Sequence, residues 1–131
     1  MPASIKAYRP RILERDWGEE IIVAECAKFL GKILHMRAGT KGGLQKHAKK
    51  EEAFYLVSGK ANVRFDSGNG LVTRRMRPGQ TYHVPPGAVH QVFAVSDCTF
   101  FETSTPHYDD RIRMEKFYGL KEDGGLPTTT R

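Results

Sequence analysis

The chain has 131 residues, 39% of them hydrophobic, and a formal charge of +6, which suits one domain with one core and a well-charged surface. It holds no apolar run of membrane-span length, no lipidation signal and no nucleic-acid reading motif, so neither a membrane nor a nucleic-acid partner is expected. Cys26 and Cys98 stand in neither a disulfide framework nor a CxxC spacing, and MPASIKAYRP lacks the apolar stretch of a signal peptide, so a reducing cytoplasm is the expected setting.

Stretches rich in β-branched and aromatic residues follow one another along the chain: 20–24, 32–37, 53–57, 62–65, 71–75, 91–95 and 99–103. RAGTKGG, VSGK, DSGNG, RPGQ and VPPGA punctuate them. Turn signals spaced by about 8 to 12 residues predict an all-β sandwich or barrel. DSGNG has the Asx/Gly chemistry of a hairpin turn, so VRF and LVTRR are expected to pair antiparallel. Gly79 opens a further strand, and Pro85-Pro86-Gly87 closes it, since two prolines exclude a central ladder position. DDRIRMEKFYGL reads as a short helix or a strand. The polar, glycine-rich segment 121–131 reads as a mobile tail.

Residues two apart on a strand share a face, so Gln45 and His47 project together. The turn AKKE resets the parity, and Glu52 then faces the same way from the next strand. His90 begins a strand after the PPGA turn and can return to the same interior. Two nitrogens and two oxygens suit a borderline divalent ion such as Zn, Mn, Fe(II), Ni or Co. A polar turn with a hydrogen-bonded histidine explains His47 equally well on spacing alone.

These two stretches resemble the paired motifs of the cupin superfamily, G-x5-H-x-H-x(3,4)-E-x6-G and G-x5-P-x-G-x2-H-x3-N. Gly39, Gln45, His47, Glu52 and Gly59 fall at the first motif's gaps, with Gln45 in place of its first histidine. Gly79, Pro85, Gly87 and His90 fall at the second's, with Ala94 in place of its asparagine. The resemblance implies a jelly-roll barrel. LQKHAKKEEAFYLVSGKANV further resembles the cupin domain of bacterial mannose-6-phosphate isomerases, as do Asp16-Trp17-Gly18, Phe101-Glu102-Thr103 and the segment 109–119. A segment 1–15, a barrel over 16–120 and a tail over 121–131 follow. The metal set of those isomerases falls on Gln45, His47, Glu52 and His90. The departures are Gly43 where a serine is usual, Phe54 where a tryptophan is usual and Asp16 where a proline is usual.

Aldose–ketose isomerisation moves a proton between neighbouring carbons, which requires a base. Glu102 in TFFET is the first choice if it faces inward, where burial would raise its pKa. Phe100 and Phe101 leave that parity open. His83 and Tyr82 are alternatives, one of which faces in. A phosphate would need cations: Arg113 matches the family arginine, and Lys49 flanks the ligand loop. A solvated turn is the plainer reading of Lys49 and Lys50. Phe54 and Leu56 share Glu52's parity and are expected to line the cavity, with Tyr55 and Val57 on the other face. Trp17 caps the barrel, meets a second subunit, or packs in the core.

The expected function is a metal-binding cupin acting on an anionic or sugar substrate as an isomerase of the mannose-6-phosphate type. The alternatives are an Fe(II) dioxygenase of a small acid or phenol, and a metal-loaded module that binds a small molecule without turnover. Apolar residues on both strand faces suit a homodimer.

Overall fold

The apolar alternation of the sequence is realised as antiparallel strands in the computed structural model, which describes residues 2–125. Among these, the strands are β1 (Arg11–Arg15), β2 (Gly18–Glu25), β3 (Leu30–Met36), β4 (Gln45–His47), β5 (Glu52–Ser58), β6 (Ala61–Asp66), β7 (Leu71–Met76), β8 (Thr81–Val84), β9 (His90–Ala94), β10 (Cys98–Ser104) and β11 (Arg111–Arg113). One six-stranded sheet runs β1-β2-β3-β10-β5-β8, and one five-stranded sheet runs β11-β4-β9-β6-β7. The expected all-β jelly-roll architecture is therefore the observed one.

Every strand foreseen in the sequence is present within a residue or two of its expected bounds. DSGNG joins β6 to β7 as a hairpin, with the Gly68 N–H donating to Asp66 Oδ1 at 2.8 Å. The strand not foreseen is β1, in the segment set aside as N-terminal. RILER carries only two apolar residues, yet it pairs with β2 along its whole length. The 109–119 segment resolves into both alternatives, strand β11 followed by a short 3₁₀ turn at Lys116–Tyr118.

The core lies between the sheets. Leu34, Met36, Phe54, Leu56 and Phe100 face Ala61, Val63, Met76 and Ala94, and Trp17 closes one side. Gly59 shows why a motif glycine is needed where β5 turns into β6. Its φ is +102°, and a Cβ there would stand 2.3 Å from the Asp97 carbonyl oxygen.

The register of the six-stranded sheet decides what enters the interior. Lys32 pairs with Glu102, Glu102 with Phe54, and Phe54 with Tyr82. Cross-strand partners share a face, so this row points inward together. Phe101 is on the other face and is 40% exposed, as is Tyr55 at 39%.

Candidate metal centre

Two turns and one strand pair bring the centre together. Gln45 pairs with His90 across β4 and β9. The Gly87 N–H donates to the His47 carbonyl at 2.8 Å, fastening the PPGA turn to the ligand strand. Glu52 opens β5 on the opposite sheet. One donor atom each from His47, Glu52 and His90 lies within 4.8 Å of the others, and all three side chains are buried.

The atoms that converge are the Nε2 nitrogens and one carboxylate oxygen. Glu52 Oε1 stands 3.0 Å from His90 Nε2 and 3.7 Å from His47 Nε2. His90 Nδ1 faces the Ala88 carbonyl at 3.0 Å, so that nitrogen carries a hydrogen and Nε2 is turned inward. His47 Nε2 is buried without a hydrogen-bond partner among the described residues. Buried polar atoms are nearly always satisfied, and an orphaned imidazole nitrogen beside a carboxylate and a second imidazole fits a divalent cation. Two histidines and one carboxylate are a donor set that Zn, Mn and Fe(II) all accept.

Gln45 lines an interior cavity together with Glu52 and His90. Its amide oxygen accepts a hydrogen bond from Arg111 at 3.2 Å. An amide oxygen has two lone pairs, so this bond leaves one for another partner. Arg111 also donates to the Gly125 carbonyl at 2.6 Å. The C-terminal segment thus touches the barrel at residue 125. A Cβ on Gly125 would meet the Gly43 nitrogen at 2.4 Å. The rest of the expected mobile tail, 126–131, lies outside the described residues.

Behind Glu52 runs a chain of buried charge. Arg15 pairs with Glu20 at 3.2 Å, and Lys32 with Glu20 at 3.5 Å and with Glu102 at 3.3 Å. Lys50 pairs with Glu102 at 3.2 Å and with Glu52 at 3.1 Å. Lys50, read from sequence as a solvated turn residue, is only 1% exposed. The turn folds inward, where the carboxylates of Glu52 and Glu102 take the Lys50 ammonium. A lysine in KK before an acidic pair gives no such signal. Glu20 and Lys32 were also missed, hidden in ordinary strand patterns.

The ionisation equilibria follow from this packing. Burial and then the Lys50 ammonium push His47 down to about 4. Burial works against the charged form of Lys50, but the carboxylates of Glu102 and Glu52 outweigh it and raise its pKa. Glu52 is likewise buried, yet Lys50 and then His90 hold it well below the usual carboxylate range. Burial lowers His90, but its hydrogen bond to Glu52 raises it on balance. Burial and the neighbouring Glu52 charge raise Glu102, and its two ammonium partners do not cancel them. Burial lowers Lys32.

The remaining sequence expectations divide. Glu102 faces in and lines the cavity with Phe54, Trp17, Leu34, Met36, Val92 and Phe100. Tyr82 turns inward and stacks on Phe54 at 5.7 Å between centroids. His83, its neighbour, alternates outward, with a side chain 62% exposed and bonded to Glu51 at 2.6 Å, so it is not an interior base. Lys49 is exposed. Arg113 is half-buried and pairs with Glu115 at 2.5 Å. Neither Lys49 nor Arg113 lines the cavity, whose volume is about 60 Å³.

With this geometry in hand, the resemblances are specific about fold. The cupin domain family model matches residues 32–104. KdgF from Halomonas sp. is 22% identical over 70% of this chain and 81% of its own, with a TM-score of 0.62. An RmlC-like cupin from Shewanella frigidimarina is 18% identical over 82% and 96%, with a TM-score of 0.66. Oxalate decarboxylase from Bacillus subtilis, a protein with Mn(II) centres, is 20% identical over 84% of this chain but 31% of its own, with a TM-score of 0.66. No curated protein sequence matches the chain. At these identities the structural likenesses speak for the fold alone.

Proposed function

The chain belongs to the cupin domain family, and from that premise we propose a divalent-metal enzyme that moves a proton on a small carbonyl compound. The carrying observation is the buried meeting of His47, Glu52 and His90, with one imidazole nitrogen unpartnered. A divalent ion held there would polarise a substrate carbonyl and stabilise the charge that develops on its oxygen. Glu102 is the base: it takes the proton from the hydroxyl-bearing carbon beside the carbonyl and delivers it to the carbonyl carbon, while the hydroxyl proton passes to the former carbonyl oxygen. No electrons leave the substrate, and the product is its isomer. Lys32 and Lys50 hold the Glu102 carboxylate in place from two sides.

Aldose–ketose isomerisation is the member of this class that the resemblance to mannose-6-phosphate isomerases implies. The cavity favours a substrate smaller than a sugar phosphate. Its volume of about 60 Å³ is far below the roughly 300–1,000 Å³ of a drug-sized site. Apolar side chains dominate its walls away from Glu52, Glu102 and His90. A short hydroxy-carbonyl compound fits, as does the reacting end of a longer one.

One feature favours a second reading. Two histidines and one carboxylate are also the donor set of Fe(II) oxygenases, and the apolar walls would suit a small acid or phenol. The two readings separate in one experiment. Protein loaded with Mn(II) or Zn(II) is incubated in D₂O with short hydroxyaldehydes and hydroxyketones, and deuterium is followed at the carbon beside the carbonyl. Incorporation that Glu102→Gln abolishes, at unchanged metal content, supports the isomerase. No incorporation, with oxygen uptake by the Fe(II) form on a catechol or keto acid, overturns it in favour of the oxygenase.

A homodimer is proposed on the outer face of the six-stranded sheet. Ile12, Ile21, Ile33, Phe101 and Tyr55 follow one another in register across it. Sedimentation at the 14.8 kDa of a single chain would contradict this assembly.

A further inference from the structure

The segment between β10 and β11 carries a carboxylate that none of the chemistry above uses. Asp110 sits just before β11 and turns both oxygens toward the ligand loop. Oδ1 faces His47 Nδ1 at 3.1 Å. Oδ2 accepts the backbone N–H groups of Lys49 and Lys50, each at 2.9 Å. The Asp110 carbonyl lies 3.5 Å from the Ala48 nitrogen as well. The preceding residue, Asp109, has a φ of +56°, and is the one non-glycine residue with positive φ among those described. That conformation is unfavourable for a side chain, and here it turns the chain so that Asp110 reaches under the loop.

We propose that Asp110 is a positioning residue that fixes the ring of His47 and its tautomer, presenting a bare Nε2 to the cation. This inference rests on the metal-centre reading and adds the group that prepares one ligand for it. A carboxylate only accepts hydrogen bonds, so the nitrogen facing Asp110 is the one that bears the hydrogen. The neutral ring then has a lone pair on Nε2, which explains why that atom is buried with no partner. It is an acceptor awaiting a cation rather than a stranded donor. The same carboxylate fixes the loop whose next residues are Lys50 and Glu52, so orientation of the imidazole and closure of the loop come from a single side chain. Metal-bound histidines commonly use their second nitrogen in this way, and loss of such a partner costs about 10–100-fold in metal affinity.

The test begins with the unsubstituted, metal-free protein. Long-range ¹H–¹⁵N spectra at neutral pH report which His47 nitrogen is protonated. Hydrogen on Nδ1 is the expected result, and hydrogen on Nε2 overturns the proposal without any variant. Asp110→Ala and Asp110→Asn are then compared with the parent by the same spectra and by zinc titration. In Asp110→Ala the Nδ1–H tautomer loses its dominance and zinc affinity falls about 10–100-fold. Asp110→Asn, which keeps an acceptor oxygen, retains the tautomer and loses less affinity. An unchanged His47 tautomer and unchanged zinc affinity in Asp110→Ala would overturn the role. If the parent protein binds no zinc, the metal reading fails while the tautomer comparison still decides what Asp110 does.

Discussion

On the six-stranded side of the interior, Glu20, Lys32, Glu102, Lys50 and Glu52 alternate in sign, each within 3.5 Å of an opposite charge. On the five-stranded side, His47 and His90 approach the same point, and one of them has a nitrogen with no partner. The two regions are equally dry but differ in completeness. Where charges satisfy one another, no further group is called for, and the array serves to hold Glu52 and Glu102 in place. Where the His47 Nε2 lone pair meets a carboxylate and a second imidazole, the donor set suits a cation. A cation bound at that point would join the two sheets, since Glu52 belongs to one and both histidines to the other.

The sharpest way to break the paired side is to remove one member. Lys32→Met leaves Glu102 with the Lys50 ammonium and takes an ammonium away from Glu20. A loss of about 3 kcal/mol in urea unfolding is expected, because the cost of an uncompensated buried charge exceeds what the methionine regains. Unchanged stability would mean that the array is not held together by its charges.

The unpaired side is sharpened by pH. In the metal-free protein the Glu52 hydrogen bond raises His90 above its ordinary 6.5, whereas His47 sits at about 4. Metal binding needs both Nε2 lone pairs, so near pH 6.5 it displaces a proton from His90 and none from His47. Zinc affinity therefore rises with pH through the His90 transition and levels off above it. Calorimetry in buffers of different ionisation enthalpy should report proton release on binding that fades as pH rises above the His90 transition. The linkage for folding has the opposite sign at His90. The stability its raised pKa contributes is complete below 6.5 and is lost as pH rises through the folded value. At His47 the depressed pKa costs the metal-free fold stability as pH falls from 6.5 toward 4.

The smallest effect is expected where the comparison predicts none. His83 is exposed, and among the described residues it pairs with exposed Glu51. His83→Ala should change stability by less than about 0.5 kcal/mol and leave metal content as it was. A large loss of activity in this variant would return His83 to the site.

The strands and the candidate metal ligands were legible in the sequence for a shared reason. Period-two alternation and turn residues are local signals, and the gaps between Gly39, Gln45, His47, Glu52 and Gly59 are fixed by the turn they span. Tyr82 and His83 illustrate the limit: alternation says that one faces in, but only pairing with β5 says which. Glu102 needed the same information, because Phe100 and Phe101 hide the parity until Lys32 is seen opposite. The buried array was not legible at all. Glu20, Lys32 and Lys50 come from three separate segments, and each looks like an ordinary surface charge until the barrel closes over it. Asp110 lies 63 residues from His47 along the chain, and no local pattern links the two.

The most direct test is the metal content of the purified protein beside His47→Ala and His90→Ala, measured by mass spectrometry after dialysis against metal-free buffer. About one divalent ion per chain is expected in the parent, with a steep loss in each variant. Equal occupancy in all three proteins would show that the ion, if bound, is held elsewhere, and the assignment of these side chains as its ligands would fall.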